Sequence, residues 1–124
     1  MCQLEPDLKQ LAKGLDTEIG ERGVNISGGQ KARLSLARAC YCDADICLLD
    51  DSISAVDPHV AKMLFCQCIR GLLIEKAVVL VTHRVSFLNQ VNEILVLEEG
   101  RIQFYGNYQD FTLYGESGAD QYAA

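Results

Sequence analysis

Two short apolar runs, each followed by polar residues, constrain the fold of this chain more than any other feature. The first run spans residues 46–49 and precedes two aspartates, and the second spans residues 77–81 and precedes a threonine and a histidine. Short continuous apolar runs are typical of strands buried on both faces of a parallel sheet. Because parallel strands need a crossover connection, the sequence predicts a right-handed βαβ unit and an α/β fold.

The segment between the two runs has the pattern of the crossover helix. Asp57 and Pro58 have the residue types preferred at an N-cap and at the first helical position. After them, apolar residues recur at four-residue spacing, which predicts an amphipathic helix that ends at about Leu73. The members of this stripe are Val60, Leu64, Cys68 and Leu72.

An earlier helix is predicted from about Gly28 to Cys42, and its first turn has the composition of an anion site. Ser27 is a good N-cap, and the pair Gly28-Gly29 lets a ligand approach the backbone with no Cβ in the way. The amides that follow have no intrahelical acceptor, so such a helix end attracts phosphate. The alternative is that these residues form only a turn before an amphipathic helix.

The remaining elements follow from simpler patterns. Residues 93–98 and 101–105 flank Glu99-Gly100 and predict a β-hairpin. A short helix is expected around residues 4–11, then a loop with several glycines, and a further short helical stretch over residues 85–90. From Gly106 onward the sequence is polar with a few aromatic residues, and it predicts no defined element.

Length and charge exclude several classes of protein. With 124 residues and 49% hydrophobic content, the chain can form one modest core, so we expect one domain or part of one. The 11 basic and 17 acidic residues give a net charge of −6, which argues against nucleic acid or an anionic membrane as the main partner. No apolar run approaches the roughly 18 to 20 residues that cross a bilayer, and the first residues lack a signal-peptide pattern.

Six cysteines, at positions 2, 40, 42, 47, 66 and 68, include two pairs with Cys-x-Cys spacing. On a helix, Cys66 and Cys68 point about 200° apart, so this pair cannot share one metal ion. No Cys-x-x-Cys pair occurs, and a chain without a secretory signal normally keeps its thiols reduced. We therefore expect free thiols, several of them buried as small apolar residues.

Polar groups follow both predicted strands at the edge where α/β folds bind ligands. Asp50 and Asp51 end the first strand and His83 follows the second, so their side chains are expected to converge. A carboxylate there can hold Mg²⁺, and a second acid or a histidine can position an attacking water or contact a terminal phosphate. The alternatives are a surface role for Asp50, a core role for His83 and simple N-capping for Asp57.

Four short motifs, taken in order, resemble those of the ABC ATPases. Residues 26–30, Ile-Ser-Gly-Gly-Gln, resemble the signature motif of that family, and residues 46–50 resemble its Walker B strand. Residues 54–57, Ser-Ala-Val-Asp, are similar to the D-loop, and Thr82-His83 is similar to the switch-histidine loop. One such string is weak support, but four of them in this order make a chance match improbable.

The resemblance extends to a subfamily and covers about residues 2–110. Residues 4–8 and 17–23, together with the adjacent Asp50 and Asp51, resemble the first nucleotide-binding domain of the multidrug-resistance-associated, or C, subfamily of ABC transporters. The resemblance implies a partial P-loop NTPase-type (ABC ATPase) α/β fold. Such a fold has parallel strands with crossover helices and a C-terminal β-hairpin.

The same resemblance divides the chain into three parts. Residues 1–42 would form the end of the helical subdomain and the signature helix. Residues 43–110 would form the Walker B, D-loop and His-loop part of the RecA-like core, and residues 111–124 a tail.

In this family two such domains close face to face, and each ATP lies between the Walker A loop of one domain and the signature motif of the other. The signature residues would therefore bind the γ-phosphate of ATP held by a partner domain. These residues are Ser27, Gly28, Gly29 and Gln30. At the chain's own site, Asp50 would hold Mg²⁺ and Asp51 and His83 would be catalytic, while Asp57 would couple the two halves.

Two departures from the family pattern change what is expected. Where members carry a glutamate after the Walker B aspartate, this chain has Asp51, and a loss of reach of about 1 Å can lower a rate on the order of 10²-fold. The signature motif is nearly intact, with Ile26 in place of leucine, and is expected to complete a working site for the partner. No Gly-x-x-x-x-Gly-Lys-Ser/Thr motif occurs, because no glycine is followed by lysine.

With the Walker A half missing, the chain is expected to be a C-terminal fragment that does not hydrolyse ATP by itself. The implied cofactors are ATP and Mg²⁺. The implied partners are a second nucleotide-binding domain and the transmembrane domains of a membrane exporter, on the cytoplasmic side, with no nucleic acid and no membrane insertion by this segment. The alternatives are a soluble ABC-type ATPase of DNA repair or translation and a truncated regulatory protein without catalysis.

Overall fold

A computed structural model describes residues 2–21 and 25–116. Arg22 and Gly23 of the subfamily-like segment, and the end of the expected tail, lie outside the described residues. The chain divides into two compact units, Met1–His83 and Arg84–Ala124. Each unit is described by itself.

The first unit contains the two predicted strands and the helices around them. Its elements, in chain order, are α1 (Glu5–Gln10), a 3₁₀ turn (Gly14–Asp16), α2 (Gly28–Tyr41), β1 (Ile46–Asp50), α3 (Pro58–Leu64), a π-helical segment (Phe65–Leu72) and β2 (Ala77–Val81). The predicted crossover helix thus begins as an α-helix and ends as a π-helix, in which the amide of Leu73 donates to the carbonyl of Cys68, 3.0 Å away.

β1 and β2 pair in parallel, as the sequence predicts. The register runs from Ile46 opposite Ala77 to Asp50 opposite Val81. The start of the pair is fixed by the amide of Ala77, which donates to the carbonyl of Asp45 at 2.9 Å. With helices between parallel strands, the α/β fold class is confirmed.

One ion pair ties together the loops that enter the two strands. Lys76 Nζ lies 2.8 Å from Asp43 Oδ1. The hydrogen bond from Lys76 lowers the pKa of the Asp43 carboxyl, and the same bond raises the pKa of Lys76. Because the Asp43 side chain is 97% exposed, the pair orients the loops more than it stabilises them.

The core of the first unit covers only one face of the sheet. Its buried side chains are Leu36, Cys47, Leu49, Ile53, Val56, Ala61, Leu64, Phe65, Cys68, Ile69 and Leu73. On the opposite face Ile46 and Leu48 are 64% and 76% exposed, and Val79 and Val81 are more than half exposed. The expectation that both faces are buried is therefore wrong for the described residues, because their helices pack against Cys47 and Leu49 only from one side.

The second unit contains a 3₁₀ helix (Val85–Gln90) and the predicted hairpin, β3 (Ile94–Glu98) and β4 (Arg101–Gly106). Glu99 and Gly100 both have positive φ, 48° and 73°, as expected for the tight turn whose twist matches the strands.

Helix α4 (Tyr108–Glu116) follows the hairpin, where the sequence analysis predicts no element. Asn107 begins it, because its side-chain oxygen accepts from the amide of Asp110 at 3.0 Å. The rings of Phe111 and Tyr114 lie 5.5 Å and 5.2 Å from the ring of Phe104 on β4, which fixes the helix on the hairpin. Among the described residues, no helix combines the length and the apolar character needed to span a bilayer.

Candidate functional site

The N-terminus of α2 is built as a reciprocal capping box. The Ser27 hydroxyl accepts a hydrogen bond from the Gln30 amide at 3.2 Å, and the Gln30 side-chain oxygen accepts one from the Ser27 amide at 2.8 Å. This arrangement satisfies one amide in the first turn of the helix and one just before it. Ser27 is therefore the N-cap that the sequence predicts.

The capping box leaves the amides of Gly28 and Gly29 at the tip of the helix. As the first residues of the helix they have no intrahelical acceptor. Ser27 and Gly28 are exposed, and no acidic residue occupies the first turn. The tip therefore carries the positive end of the helix dipole with nothing on α2 itself to neutralise it, which suits an anion.

The two glycines of the tip are not equivalent. A Cβ on Gly29 would lie 3.1 Å from the carbonyl oxygen of Ala55 and 3.5 Å from Cγ1 of Val56. A Cβ on Gly28 would meet only the Cβ of Ala55, at 4.0 Å. Gly29 is therefore needed for close packing of the helix against the loop after β1, whereas Gly28 leaves the backbone open to solvent.

A buried ion pair orients α2 from below its tip. Arg33 donates from Nε to Asp7 Oδ2 at 2.8 Å and from Nη2 to Asp7 Oδ1 at 2.7 Å, and the two side chains are only 15% and 11% exposed. The Gln30 side-chain amide also points at Asp7 Oδ1, at 3.4 Å. Arg33 is thus a salt-bridging residue. The sequence analysis did not single out Asp7, because an acid in the first turn of a short helix normally faces solvent.

The acidic residues and the histidine follow adjacent strand ends. Asp50 pairs with Val81 in the register of the sheet, so Asp51 and His83 leave the strands at the same edge. All three side chains are exposed. The structure thus places them at the carboxyl edge, where sheets of this kind bind ligands.

Asp51 has an unusual backbone. Its φ is 47°, in the left-handed region that aspartate adopts more readily than most residues. Its amide donates to the carbonyl of Val81 at 2.9 Å, and its carbonyl accepts from the amide and hydroxyl of Ser54 at 3.3 Å and 3.0 Å. These hydrogen bonds fix the turn in which Asp51 follows β1.

A cavity of about 340 Å³ opens beside the two aspartates. Its polar lining comes from Asp50, Asp51 and Ser52 at the end of β1 and from Lys31 and Ser35 of α2. The Ser52 hydroxyl is buried and has no hydrogen-bond partner among the described residues. Two carboxylates and an unpartnered hydroxyl are the hard oxygen donors that suit Mg²⁺, directly or through water. None of residues 27–30 lines this cavity, and His83 does not line it either.

Asp57 caps α3, as the sequence predicts. One of its carboxylate oxygens accepts from the amides of His59 and Val60, at 3.0 Å and 3.1 Å. The side chain is exposed, so its second oxygen can still reach another molecule. The structure therefore establishes the cap and leaves the coupling role as a prediction.

Comparisons with known proteins give one consistent result. Residues 2–54 match the ABC transporter family. The chain is 55% identical to ATP-binding cassette sub-family C member 2 of Mus musculus over 111 residues. The aligned segment covers 88% of this chain and 7% of the mouse protein. The chain is thus similar to ABC transporter proteins over most of its length. It is also 51% identical over 114 residues, 92% of its length, to the probable non-intrinsic ABC protein 5 of Arabidopsis thaliana.

A third relative is the multidrug resistance protein of Leishmania tarentolae, which is 52% identical over 111 residues, or 90% of this chain. The predicted likeness to an ABC nucleotide-binding domain of the C subfamily is therefore confirmed. The chain spans 35% of the length of the Arabidopsis protein and 7% of the mouse and Leishmania proteins.

Proposed function

We propose that this chain is part of the ATP-binding domain of a membrane exporter, where the tip of α2 completes an ATP site held by a second nucleotide-binding domain. The observation that carries the proposal is the capped, exposed helix end with the Gly28 amide open to solvent. A terminal phosphate placed there would meet backbone donors and the positive end of the helix. Ser27 and Gln30 hold each other in place and so keep this donor set rigid.

In this proposal, the carboxyl edge of the sheet belongs to a different ATP site. The nucleotide of that site is bound by the domain that contains this chain. Asp50 and Asp51, with the Ser52 hydroxyl, are suited to hold Mg²⁺. Bound Mg²⁺ would neutralise charge on the phosphates. Asp51 and His83, at the same edge, would orient the attacking water and contact the terminal phosphate.

We expect hydrolysis at this second site to be slow. Asp51 is one methylene shorter than the glutamate usual in the family, and its turn is fixed by hydrogen bonds to Val81 and Ser54. The backbone therefore cannot easily move forward to restore the lost reach. A deficit of about 1 Å corresponds to a loss on the order of 10²-fold.

The exposed apolar face of the sheet supports the placement of this chain inside a larger domain. Ile46, Leu48, Val79 and Val81 form a contiguous apolar surface across both strands. Such a surface normally marks an interaction site. We propose that the phosphate-loop half of the same domain covers it, with the second nucleotide-binding domain and the transmembrane domains as further partners on the cytoplasmic side of a membrane.

A chimera tests the proposal. The aligned segment of the mouse subfamily C member 2 protein is replaced by this chain, and ATP turnover is measured in membranes. Gly28→Asp places a carboxylate where the phosphate is expected, so turnover should fall by about 10²-fold or more, as when a preorganised donor of the reacting centre is lost. Asp50→Asn alters only the slow site, so most of the turnover should remain.

Tyr41→Phe, at the far end of α2 where the side chain is exposed, is the control and should leave turnover unchanged. Equal losses from Gly28→Asp and Asp50→Asn would refute the division of roles between two sites. Full turnover in the Gly28→Asp chimera would refute the role of the helix tip.

A second candidate rests on the name of the Arabidopsis relative, a non-intrinsic ABC protein that matches 92% of this chain. In that case the chain would belong to an ABC protein without membrane-embedded domains. Membrane fractionation of the full-length gene product distinguishes the two. Recovery in the salt-washed membrane pellet supports the exporter, and recovery in the supernatant supports the second candidate.

A further inference from the structure

Three cysteines from distant parts of the sequence meet in the first unit. Cys2 precedes α1, Cys40 lies in the last turn of α2, and Cys68 lies in the π-helical segment. Their three Sγ atoms all lie within 4.8 Å of one another, and those of Cys2 and Cys68 are 3.3 Å apart. Cys68 is fully buried and the other two are partly buried. We call these three residues the thiol cluster.

The spacing of the thiol cluster fits a single metal ion. A metal–thiolate bond is about 2.3 Å long, so three thiolates around one ion lie about 3.8 to 4.0 Å apart. The Cys2–Cys68 separation is slightly shorter than this value, and no separation in the cluster exceeds 4.8 Å. Small side-chain rotations would therefore bring all three sulfurs to bonding distance of a central ion.

The cluster takes one cysteine from each Cys-x-Cys pair. Residues two apart on a helix point to opposite sides, so Cys40 and Cys68 face inward while Cys42 and Cys66 are exposed. The prediction that Cys66 and Cys68 cannot share one metal ion is consistent with this geometry. The spacing alone cannot reveal that Cys40 of one pair lies close to Cys68 of the other pair, with Cys2 beside them.

Burial and mutual proximity raise the pKa of two of these thiols, those of Cys40 and Cys68. Burial is the main cause that raises the pKa of Cys40 to about 11, and the neighbouring Cys2 raises it further in the same direction. Burial likewise raises the pKa of Cys68. A bound cation would supply the positive charge that the thiolates need.

We propose that Cys2, Cys40 and Cys68 form a binding site for one soft metal cation, with Cu(I) as the best-fitting ion. On binding, three S–H bonds release their protons to solvent and three metal–sulfur bonds form, with no change of oxidation state. Thiolates favour soft ions over the hard Mg²⁺ expected at Asp50. Structural zinc sites almost always have four ligands, and within residues 2–21 and 25–116 no further His, Cys, Asp or Glu joins the three sulfurs.

The proposed site lies at the end of α2 opposite to its phosphate-binding tip. Because α2 has 14 residues, its two ends are about 20 Å apart. An ion there would join the segment before α1, the end of α2 and the π-helical segment. The site would therefore stabilise the packing around the C-terminal end of α2 without contacting the nucleotide.

Anaerobic titration of the reduced 124-residue chain with Cu(I), in competition with a chromophoric Cu(I) chelator, tests the proposal. We expect one equivalent to bind and the urea midpoint of unfolding to rise. Cys2→Ser should weaken binding by at least about 100-fold, since changes to groups merely adjacent to metal ligands already reduce affinity 10- to 100-fold. Cys2 is only partly buried, so this variant is expected to disturb folding less than a substitution of the buried Cys68.

The matched control is the double variant Cys42→Ser, Cys66→Ser, which removes two exposed thiols and should bind as the unmodified chain does. Equal weakening in this control and in Cys2→Ser would overturn the proposal, as would unchanged binding in the triple variant Cys2→Ser, Cys40→Ser, Cys68→Ala. Two further results would also overturn it: a preference for Zn²⁺ over Cu(I), and the finding by mass spectrometry of a Cys2–Cys68 disulfide in place of metal binding.

Discussion

The buried pair of Asp7 and Arg33 gives a quantitative prediction about what holds helix α2 in place. Two short charge-assisted bonds, 2.7 Å and 2.8 Å, join side chains that are 11% and 15% exposed. Asp7→Asn removes the negative charge and leaves the guanidinium buried without its counter-charge. Breaking such a pair from one side destabilises a protein by about 3–5 kcal/mol, against a total stability of about 5–15 kcal/mol.

Equilibrium urea unfolding, followed by circular dichroism, measures this loss. With a urea dependence of about 2 kcal/mol per M for a chain of this size, the midpoint should fall by about 1.5–2.5 M. Glu5→Gln is the matched control, since Glu5 lies on the same helix but is exposed, and it should change stability by less than about 0.5 kcal/mol. The double variant Asp7→Asn, Arg33→Met should recover part of the loss, because no buried charge remains.

A loss below about 1 kcal/mol in Asp7→Asn would show that the pair is worth no more than a surface salt bridge. Strict additivity in the double variant would contradict a direct interaction between the two residues. Either result would refute the reasoning that this pair fixes α2.

Three further predictions concern the helix tip and the thiol cluster. Ser27→Ala removes the cap and should lower the free energy of unfolding by about 1 kcal/mol, as measured in urea. Gly29→Ala should lower it by about 1–3 kcal/mol through steric overlap with the neighbouring loop, whereas Gly28→Ala should lower it by less than about 0.5 kcal/mol; equal effects would contradict the packing of the tip. Burial raises the pKa of Cys40 from 9.0 to about 11, so the unfolded chain releases this proton first and stability should fall as the pH rises from about 9 towards 11. Cys40→Ser should remove part of this fall and Cys42→Ser should not, which urea unfolding at several pH values would check.

Local patterns predict the backbone of the first unit well. Ser27 and Asp57 are N-caps because their side chains satisfy amides within three residues, and such contacts can be deduced from adjacent sequence. The two strands follow from continuous apolar runs, and their parallel pairing follows from the helix between them. The common edge of Asp50 and His83 is then a consequence of topology.

Features that depend on contacts between distant residues could not be predicted in this way. The partners Asp7 and Arg33 are 26 positions apart, and Cys2 and Cys68 are 66 positions apart. Nothing in the residues next to Asp7 indicates that it is buried. The burial of β1 on one face only was also missed, because an apolar run does not reveal which side its own chain covers.

Helix α4 is a different case, since a local signal was present and was not used. Asn107 and Asp110 form hydrogen bonds in both directions at the start of this helix, at 2.8 Å and 3.0 Å. An Asn three residues before an acid is a recognisable N-terminal pattern. The stacked aromatic side chains that fix the helix to the hairpin, in contrast, are revealed only by the structure.

The most direct test of the account is a cryo-EM structure of the mouse chimera with bound ATP and Mg²⁺ under conditions that prevent hydrolysis. The account predicts that the Gly28 amide and the Ser27 hydroxyl contact the terminal phosphate of the nucleotide held by the partner domain, while Asp50 and His83 face the other nucleotide. A structure in which the tip of α2 contacts no nucleotide, or contacts the same one as Asp50, would contradict it.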